Sequence, residues 1–407
     1  MNPAARAGQR DQLKRLSVLI AVAGVDMLGF AMVLPLLPFY ALKLHATPET
    51  IGAITASYSV AQLLAAPLWG RVSDQYGRRP ALLAGLLASA AAFAIFGLAS
   101  AVWLFFAMRL IQGAGGGTTG VAQAYVADTV GPGHRAQALG WLSSATAVGF
   151  MLGPVIGSLA ARFGQVAPGM VAAALCLLNA GFAWKWLPES KQPPKQGERP
   201  VRRPVWHGAW QVVRHPRGPV PRLIWIYAAG MLGFTAMTSV LALYLDKEFG
   251  VTEKSIGWVF LYVATLSLVM RSLLLGSIVR RLGEPGTMRL GTICLTLGLV
   301  LYPITHSMWV LAPIMALVPI GTALLFPATT ALMSHASEKA EVGTTMGVAQ
   351  TFAGLSRVVA PLIATSAFQR FGSPAPFYLA GAIVLLVGAM AFRLDVAPHA
   401  LRESDAA

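Results

Sequence analysis

Long apolar stretches follow one another along the whole chain and are separated by short polar segments. Each stretch runs for roughly 18–25 residues, which is the length of an α-helix that crosses the hydrocarbon core of a bilayer. Strands of a membrane β-barrel would be shorter and would alternate between apolar and polar positions. The pattern predicts an all-α membrane protein with twelve transmembrane helices, near 16–40, 50–69, 80–98, 101–123, 136–161, 168–187, 222–245, 256–279, 288–305, 309–332, 343–368 and 375–393.

The longest polar segment divides the chain into two parts. Residues 188–221 are rich in proline, lysine and arginine, which is typical of a linker at the cytoplasmic surface. We therefore expect a basic tail at 1–15, a six-helix bundle at 16–187, the linker at 188–221, a second six-helix bundle at 222–393 and a tail at 394–407.

Glycines at matching places indicate that the two bundles are duplicates of one pattern. One set recurs in the other bundle at a constant offset, and Gly153-Pro154 recurs as Ala360-Pro361. Parallel halves of this kind, with a substrate site between them, are one of the known plans of secondary transporters. The two sets of glycines are Gly70, Gly77, Gly85 and Gly276, Gly283, Gly291.

Composition and charge exclude most other classes of protein. Apolar residues make up 56% of the chain and charged residues 12%, so a soluble fold could not hide the apolar surface. A net charge of +15 suggests nucleic acid, but most of the 31 Lys and Arg residues fall in the segments expected on the cytoplasmic side. This excess follows the positive-inside rule. We expect a multi-pass protein of the cytoplasmic membrane, in contact with lipid, with both termini in the cytoplasm and no nucleic-acid partner.

Asp26 and Arg109 are the two charges expected near the middle of the membrane in the first bundle. An ionised carboxylate there costs roughly 2.5–3.5 kcal/mol, so Asp26 should face a cavity and find a partner. At 1.5 Å per residue, Asp26 lies about 15 Å from the inner surface and Arg109 about 12 Å from the outer one. The two side chains can therefore meet, and a desolvated carboxylate beside an arginine can be poised to exchange protons. A static structural ion pair is the alternative. The second bundle contributes Arg271 and Arg357, and snorkelling to the inner surface is an alternative for Arg271.

A short charged loop is expected between spans two and three. It has the form Gly-x-x-x-Asp-x-x-Gly-Arg-Arg-Pro, in which the glycines permit a close approach of two helices and the arginines hold the loop in the cytoplasm. Asp128, just after span four, is a second acidic partner within reach. The residues concerned are Gly70, Arg71, Asp74, Gly77, Arg78, Arg79 and Asp128.

Span five carries glycines at helical spacing. Gly149, Gly153 and Gly157 are four residues apart and so share one helix face, while Gly140 precedes them and Pro154 adds a bend. Such glycines allow two helices to pack closely. Generic packing of small residues is one explanation of these glycines. The 9-4-4 spacing, with a proline directly after the third glycine, is the more specific feature of the span.

Taken together, these motifs resemble those of the major facilitator superfamily, in particular its drug:proton antiporters with twelve spans and the tetracycline-efflux-like multidrug exporters. The resemblance implies that the 70–80 loop and Asp128 latch the outward-facing state. It implies that the span-five glycines form the antiporter signature and that the run from Arg109 to Gly115 serves proton transfer. Two departures stand out: Ser158 replaces the last glycine of the signature, and Ala92 stands where tetracycline exporters carry an aspartate, which argues against tetracycline itself.

The resemblance also supplies expected partners and a list of cavity residues. We expect a monomer that binds a small lipophilic or cationic drug and protons, uses the proton gradient, and needs no cofactor or metal. Transport of a nutrient or metabolite, and a non-transporting sensor or scaffold, are the alternatives, while no catalytic group or nucleotide-binding motif suggests an enzyme. The residues expected to line the substrate cavity are Phe30, Met32, Tyr58, Gln62, Gln112, Gln123, Phe150, Asn179, Phe234, Met237, Gln350 and Arg357.

Overall fold

The computed structural model describes residues 3–190, 205–216, 218–338 and 341–392. All regular structure in these ranges is helical. The α-helices are α1 Pro3–Val33, α2 Leu37–Lys43, α3 Pro48–Tyr76, α4 Arg78–Gly97, α5 Val102–Gly115, α6 Thr118–Thr129, α7 Pro132–Ala160, α8 Ala167–Trp186, α9 Val205–Arg214, α10 Pro219–Phe249, α11 Ile256–Val269, α12 Leu275–Leu301, α13 Met308–Ala336, α14 Val342–Phe371 and α15 Ala375–Phe392.

The helices account for the twelve predicted spans, although only ten continuous helices in the described residues are long and apolar enough to cross a membrane. Two spans are missing from that count for different reasons. Span four is broken into α5 and α6, each too short to qualify alone. Spans eight and nine join into one stretch, Ile256–Ile304, which turns at Gly283 with a φ of 66°.

The charged loop expected at 70–80 is almost absent. Helix α3 continues to Tyr76 and α4 begins at Arg78, so only Gly77 is non-helical, with a φ of 107°. The loop prediction was wrong because a helix need not end where the hydrocarbon ends. Charged side chains on its last turns are solvated at the membrane surface while the backbone stays hydrogen-bonded. Gly70 consequently lies inside α3, where a Cβ would meet no atom within 4 Å, and it permits no close approach.

The chain forms two compact units. One contains Met1–Glu198 and Val251–Tyr262, and the other contains Arg199–Gly250 and Val263–Ala407. Residues 191–204 and 217 of the predicted linker, and the predicted C-terminal tail, lie outside the described residues. Within the linker, the short helix α9 buries Val212 and exposes Trp210.

Helices α1 and α7 form the closest packed seam of the first unit. A Cβ at Gly149 would overlap the Gly24 carbonyl oxygen, and one at Gly157 would overlap the Met32 carbonyl oxygen. Gly153 faces α1 in the same way, so the three glycines bring two backbones into direct contact. Gly140 is different, because nothing lies within 4 Å of the position of its Cβ.

Candidate functional site

Asp26 lies on α1 at the wall of a small internal cavity. The Thr118 hydroxyl donates a hydrogen bond to the Asp26 Oδ2 over 3.1 Å. The cavity has a volume of about 20 Å³, which is enough for one water molecule by the usual measure of roughly 10–15 Å³. Thr119 and Thr146 also line this cavity, so a water there would have several polar partners. Asp26 is therefore an ionisable group inside the first unit with space for an exchangeable proton donor or acceptor.

Thr118 reaches Asp26 because span four is broken at Gly116 and Gly117. The break makes Thr118 the first residue of α6, so the positive end of a helix dipole begins beside the carboxylate. The wall residues Thr118, Thr119 and Ala122 all belong to the first two turns of α6. A continuous helix through span four would have carried these residues past Asp26 without presenting a helix terminus to it.

Side chains from α3 support the break. The Trp69 indole N–H donates to the Ala114 carbonyl oxygen, and the Gln62 amide donates to the Gly116 carbonyl oxygen over 3.4 Å. Backbone carbonyls released inside a membrane need such partners, since no water replaces the lost helical bonds. A Cβ at Gly117 would overlap the Trp69 ring, so the glycine is required where the indole lies against the broken backbone.

Arg109 is held by a different set of groups from those at Asp26. Its guanidinium donates to the Gln112 Oε1 over 2.9 Å and lies 5.7 Å from the centre of the Tyr58 ring. Arg109 is only 2% exposed, and its Nε has no hydrogen-bond partner among the described residues. The expected ion pair between Asp26 and Arg109 is not formed in this conformation of the described chain. Similar depth along two helices did not determine the direction in which each side chain points.

Several charges at the turn between α3 and α4 of the first unit converge on Arg78. Its guanidinium bonds Asp74 at 2.7 Å, Asp128 at 2.9 Å and the Ser73 hydroxyl at 2.6 Å. The cluster therefore joins the end of α3, the start of α4 and the end of α6. Asp74 and Asp128 are brought together as the sequence suggested, whereas Arg71 is exposed and Arg79 bonds the Trp184 carbonyl oxygen instead.

Glu189 completes this cluster and was missed by the sequence analysis. Its carboxylate accepts from the backbone N–H groups of Arg78 at 2.8 Å and Arg79 at 3.1 Å, and so caps the N-terminus of α4. A Cβ at Gly77 would overlap that carboxylate. Gly77 is thus needed both for its positive φ and for the approach of Glu189. The sequence holds no local signal for this contact, because Glu189 is 111 positions from Arg78 and 110 from Arg79.

Ser158 has a partner that the glycine usual at this place could not supply. Its hydroxyl accepts a hydrogen bond from the Gly257 backbone N–H over 2.9 Å. Gly257 also packs directly against the Pro154 carbonyl, where a Cβ would overlap. The first turn of α11 is therefore anchored on α7 at the end of the glycine motif, inside the first unit.

Lys43 and Glu253 form an ion pair of 2.7 Å within the same unit. Partial burial opposes ionisation of Glu253, but the hydrogen bond from Lys43, the backbone bond and the nearby charges of Lys43 and Lys254 outweigh it, so the pKa of the Glu253 carboxyl lies below its ordinary value. Glu253 was not among the predicted residues, because the sequence around it gives no sign that Lys43, 210 positions away, is its partner.

We expect Glu253→Gln to lower the melting temperature slightly at pH 7, and to lower it less at an acidic pH below the folded pKa of the Glu253 carboxyl. Because the pKa is depressed in the folded protein, the stabilisation is complete above about pH 4.3 and is lost as the pH falls through the folded value. The Lys43 side chain is 47% exposed, so the effect should not exceed about 1 kcal/mol. Thermal unfolding in detergent measures it, and Lys43→Met combined with Glu253→Gln should add nothing further. Equal differences at both pH values would contradict the assignment.

The expected cavity residues separate by burial. None of them lines the cavity beside Asp26. Met32, Gln112, Asn179 and Met237 are buried, and the Asn179 amide donates to the Val22 carbonyl oxygen over 2.9 Å, which makes it a tie between α8 and α1. Gln123 and Gln350 are exposed on the chain. The remaining members are partly exposed and are Phe30, Tyr58, Gln62, Phe150, Phe234 and Arg357.

Polar and aromatic groups also meet in the second unit. The Gln350 amide donates to the Tyr227 hydroxyl over 3.3 Å, and the Tyr227 ring packs edge-on against Phe326 with the centroids 5.2 Å apart. Trp225 packs against Phe352 at 5.2 Å. Arg271 lies in a π-helical turn, Met270–Leu274, between α11 and α12. In the part of the chain that the structure describes, no three His, Cys, Asp or Glu side chains come together as a metal site would require.

Comparison with known proteins identifies the family of the chain. The sequence matches the Major Facilitator Superfamily over residues 19–318 and again over 223–407. It is 29% identical to the tetracycline resistance protein, class C, of Escherichia coli, across 88% of this chain and 90% of that protein. It is 28% identical to multidrug resistance protein 2 of Bacillus subtilis, across 91% of this chain and 92% of that protein.

Solved structures give the same fold. The crystal structure of the human organic anion transporter MFSD10 (TETRAN) matches with a TM-score of 0.66 at 22% identity, across 96% of this chain and all of that one. An identity this low carries the fold and not the substrate. The helical spans, the motifs and the match along the chain lead to one conclusion: this protein is a transporter that belongs to the major facilitator superfamily.

Proposed function

We propose that the protein is a proton-coupled antiporter that exports lipophilic or cationic drugs across the cytoplasmic membrane by alternating access. The observation that carries the proposal is the Asp26 carboxylate in its water-sized cavity, bonded by Thr118. An ionisable group inside a membrane span is a functional group by default, because its burial is too costly to be kept without use. The names of the curated relatives, which are tetracycline and multidrug resistance proteins, support drugs as the cargo.

In this scheme the antiport of drug against proton depends on whether the Asp26 carboxylate is ionised or protonated. When Asp26 is ionised, the Thr118 hydroxyl and the N-terminus of α6 stabilise the carboxylate. When a proton arrives from the outside, the charge disappears and the conformations with drug bound and drug released change their relative free energies. Release of the proton to the cytoplasm restores the charge, so one titrating group links the proton gradient to the direction of transport.

Arg109 takes a supporting part in this scheme. Its guanidinium keeps its proton at any physiological pH and therefore cannot carry one. Because its guanidinium donates a hydrogen bond to Gln112 and lies over the Tyr58 ring rather than pairing with Asp26, we assign it to fixing those two side chains and the α5 end of span four. The Arg78 cluster is proposed as the cytoplasmic latch, since its ion pairs join three helix ends that would have to separate or move together.

The proposal extends to the setting of the protein. We propose that it works as a monomer in the cytoplasmic membrane with both termini in the cytoplasm, and that the proton gradient supplies all its energy without a cofactor. Lipid surrounds the helices, and the transported molecule and protons are its only other partners.

A flux experiment on everted membrane vesicles tests the proposal. A susceptibility panel in an efflux-deficient host first identifies a drug to which the chain confers resistance. Vesicles energised by respiration should then accumulate that drug, and adding the drug to vesicles that hold only a pH gradient should release protons. Uptake that persists after the proton gradient is collapsed would contradict antiport. Absence of any drug flux would favour a metabolite transporter or a non-transporting scaffold.

A further inference from the structure

The second unit contains a counterpart of the turn between α3 and α4. Gly283 has a φ of 66° and interrupts α12, just as Gly77, with a φ of 107°, separates α3 from α4. The two glycines belong to the sets that recur at a constant offset along the chain. Glu284, directly after the second glycine, therefore stands at the position that Arg78 has directly after the first.

The charges around this second turn have the opposite signs to those around the first. Arg280 stands at the position of Asp74 by the same offset as the glycines. His335 stands at the position of Asp128 by the offset that relates the glycine–proline pair of span five to its copy. The first unit thus has an arginine at the turn between two carboxylates. The second unit has a carboxylate at the turn between two basic side chains.

The reversed pair is formed in the structure. The His335 Nδ1 lies 3.2 Å from the Glu284 Oε2, where the first unit has the Arg78 Nε 2.9 Å from the Asp128 Oδ2. The Glu284 side chain is 21% exposed and that of His335 is 52% exposed. The first pair ties the start of α4 to the end of α6, and the second pair ties the turn in α12 to the last turn of α13. The repeat therefore extends from the sequence to the contacts.

Helix termini favour the ionised form of the second pair. His335 lies in the last turn of α13, where the helix dipole stabilises a cation. Glu284 directly follows the non-helical Gly283 and so begins the next helical segment of α12, where the dipole stabilises an anion. Each partner consequently carries the charge that suits the helix end on which it lies.

The reversal of charge makes the second pair sensitive to pH. The Arg78 guanidinium keeps its proton at any physiological pH, so the pair in the first unit is permanent. Histidine side chains ordinarily change charge near pH 6.5 and glutamate side chains near pH 4.3, so a His–Glu pair carries both charges only at about pH 4.3–6.5. Above this range the imidazole becomes neutral and the attraction between the charges is lost.

The other charged groups near this pair keep their charge in the same range. Arg280 donates to the Ser277 hydroxyl over 3.0 Å, and Arg289 donates to the Ala391 carbonyl oxygen over 3.1 Å. Arginine and glutamate side chains ordinarily stay charged between about pH 6 and 8, so histidines are the groups that respond there. The remaining charged or titratable side chains at this end of the described second unit are His215 before α10, Arg222 on α10, Arg281 on α12, and Glu338 and Glu341 after α13.

We propose that His335 and Glu284 form a second cytoplasmic latch, which holds α12 and α13 together in acid, loosens at alkaline pH and thereby slows export when the cytoplasm is acidic. The inference rests on the proposed export function and adds its regulation. An antiporter that brings protons into the cytoplasm would be slowed where protons have already accumulated. Because the histidine is half exposed, the pair should change an equilibrium by about two- to fivefold.

Amide hydrogen exchange tests the latch without drug or flux. Purified protein in nanodiscs is labelled at pH 6 and at pH 8, and mass spectrometry follows peptides that cover the turn in α12 and the end of α13. Comparing parent and variant at one pH removes the intrinsic pH dependence of exchange. His335→Gln keeps a neutral polar side chain and should exchange about two to five times faster than the parent at pH 6. At pH 8 the two proteins should agree.

Three further variants assign the effect to the pair. His335→Arg carries a permanent cation and should be protected at both pH values. Adding Glu284→Gln to His335→Arg should remove that protection, because the cation then has no carboxylate to attract. His215→Gln removes another exposed histidine of the same unit and should match the parent. Equal exchange of parent and His335→Gln at pH 6, or a difference of the same size at both pH values, would overturn the latch.

Drug flux in everted vesicles then tests the regulation. The cytoplasmic face is outward, so the buffer sets the cytoplasmic pH while the imposed gradient is kept constant. His335→Arg should slow export about two- to fivefold at pH 8, and His335→Gln should speed it by a similar factor at pH 6. Parental pH profiles in both variants would overturn the regulation of export. Exchange that depends on pH, in a parent that moves no drug, would uphold the latch and count against the export function alone.

Discussion

Asp26→Asn is expected to abolish uphill drug export while leaving the protein folded and inserted. Asparagine has the shape of aspartate and can still accept the hydrogen bond from Thr118, so the change removes the titrating charge and little else. Without a group that binds and releases a proton, drug movement loses its link to the gradient. In energised everted vesicles, accumulation should fall to the level of vesicles without the protein.

Downhill exchange distinguishes loss of coupling from loss of the protein. Vesicles preloaded with drug should still exchange it through Asp26→Asn, because neither direction then requires a proton. Surface expression and size-exclusion profiles should match the parent. Uphill accumulation at the parental rate would remove Asp26 from the proton pathway.

Thr118→Val supplies a graded control in the same experiment. Valine keeps the shape of threonine and removes the hydroxyl that donates to the Asp26 Oδ2. The ionised form loses a hydrogen bond, so proton release to the cytoplasm should require a higher pH. The acid limb of the transport profile should move upward by about one pH unit, with the maximal rate largely kept. Superimposed profiles would show that Thr118 does not stabilise the charge.

Gly149→Ala is expected to destabilise the protein, whereas Gly140→Ala is not. The new Cβ at 149 would overlap the Gly24 carbonyl oxygen, so α1 and α7 must separate, and overpacking of this kind costs typically 1–3 kcal/mol. At 140 nothing lies within 4 Å, and replacing glycine with alanine in a helix gains up to about 1 kcal/mol.

The two alanine variants make a matched pair on one helix. Thermal unfolding in detergent, followed by loss of the monodisperse peak, should place Gly149→Ala roughly 2–5 °C below Gly140→Ala. Gly153→Ala should behave like Gly149→Ala because it faces the same seam. Equal melting temperatures for the 140 and 149 variants would mean that the seam can open without cost.

The number and order of the spans could be predicted from hydropathy because the bilayer permits few alternatives. A polypeptide crossing lipid must satisfy its own backbone, so a long apolar stretch is a helix almost regardless of its details. The break in span four could not be predicted in this way, since the apolar stretch continues through Gly116 and Gly117. The local sequence signal was the run of glycines at 115–117. The helix is interrupted there because the Trp69 side chain of α3 packs against Gly117 and donates a hydrogen bond to the Ala114 carbonyl oxygen.

The depth of Asp26 could be predicted, and its partner could not. Rise per residue fixes how far a side chain lies along a helix, but the direction it faces depends on how that helix rotates against its neighbours. Asp26 and Arg109 were therefore expected to meet. In the structure Asp26 instead accepts a hydrogen bond from Thr118, and Arg109 donates one to Gln112. Glu189 and Glu253 were missed for a related reason, because their partners are far away in sequence and close only after folding.

The seam between α1 and α7 has a consequence for how the gene can change under drug selection. Every amino acid other than glycine carries a Cβ, so every missense mutation in the codons for Gly149, Gly153 or Gly157 places an atom where the opposing backbone already lies. Mutations that broaden or shift resistance must therefore arise elsewhere in the chain. Lineages that survive selection should keep these three codons as glycine while the exposed Gly140 codon drifts.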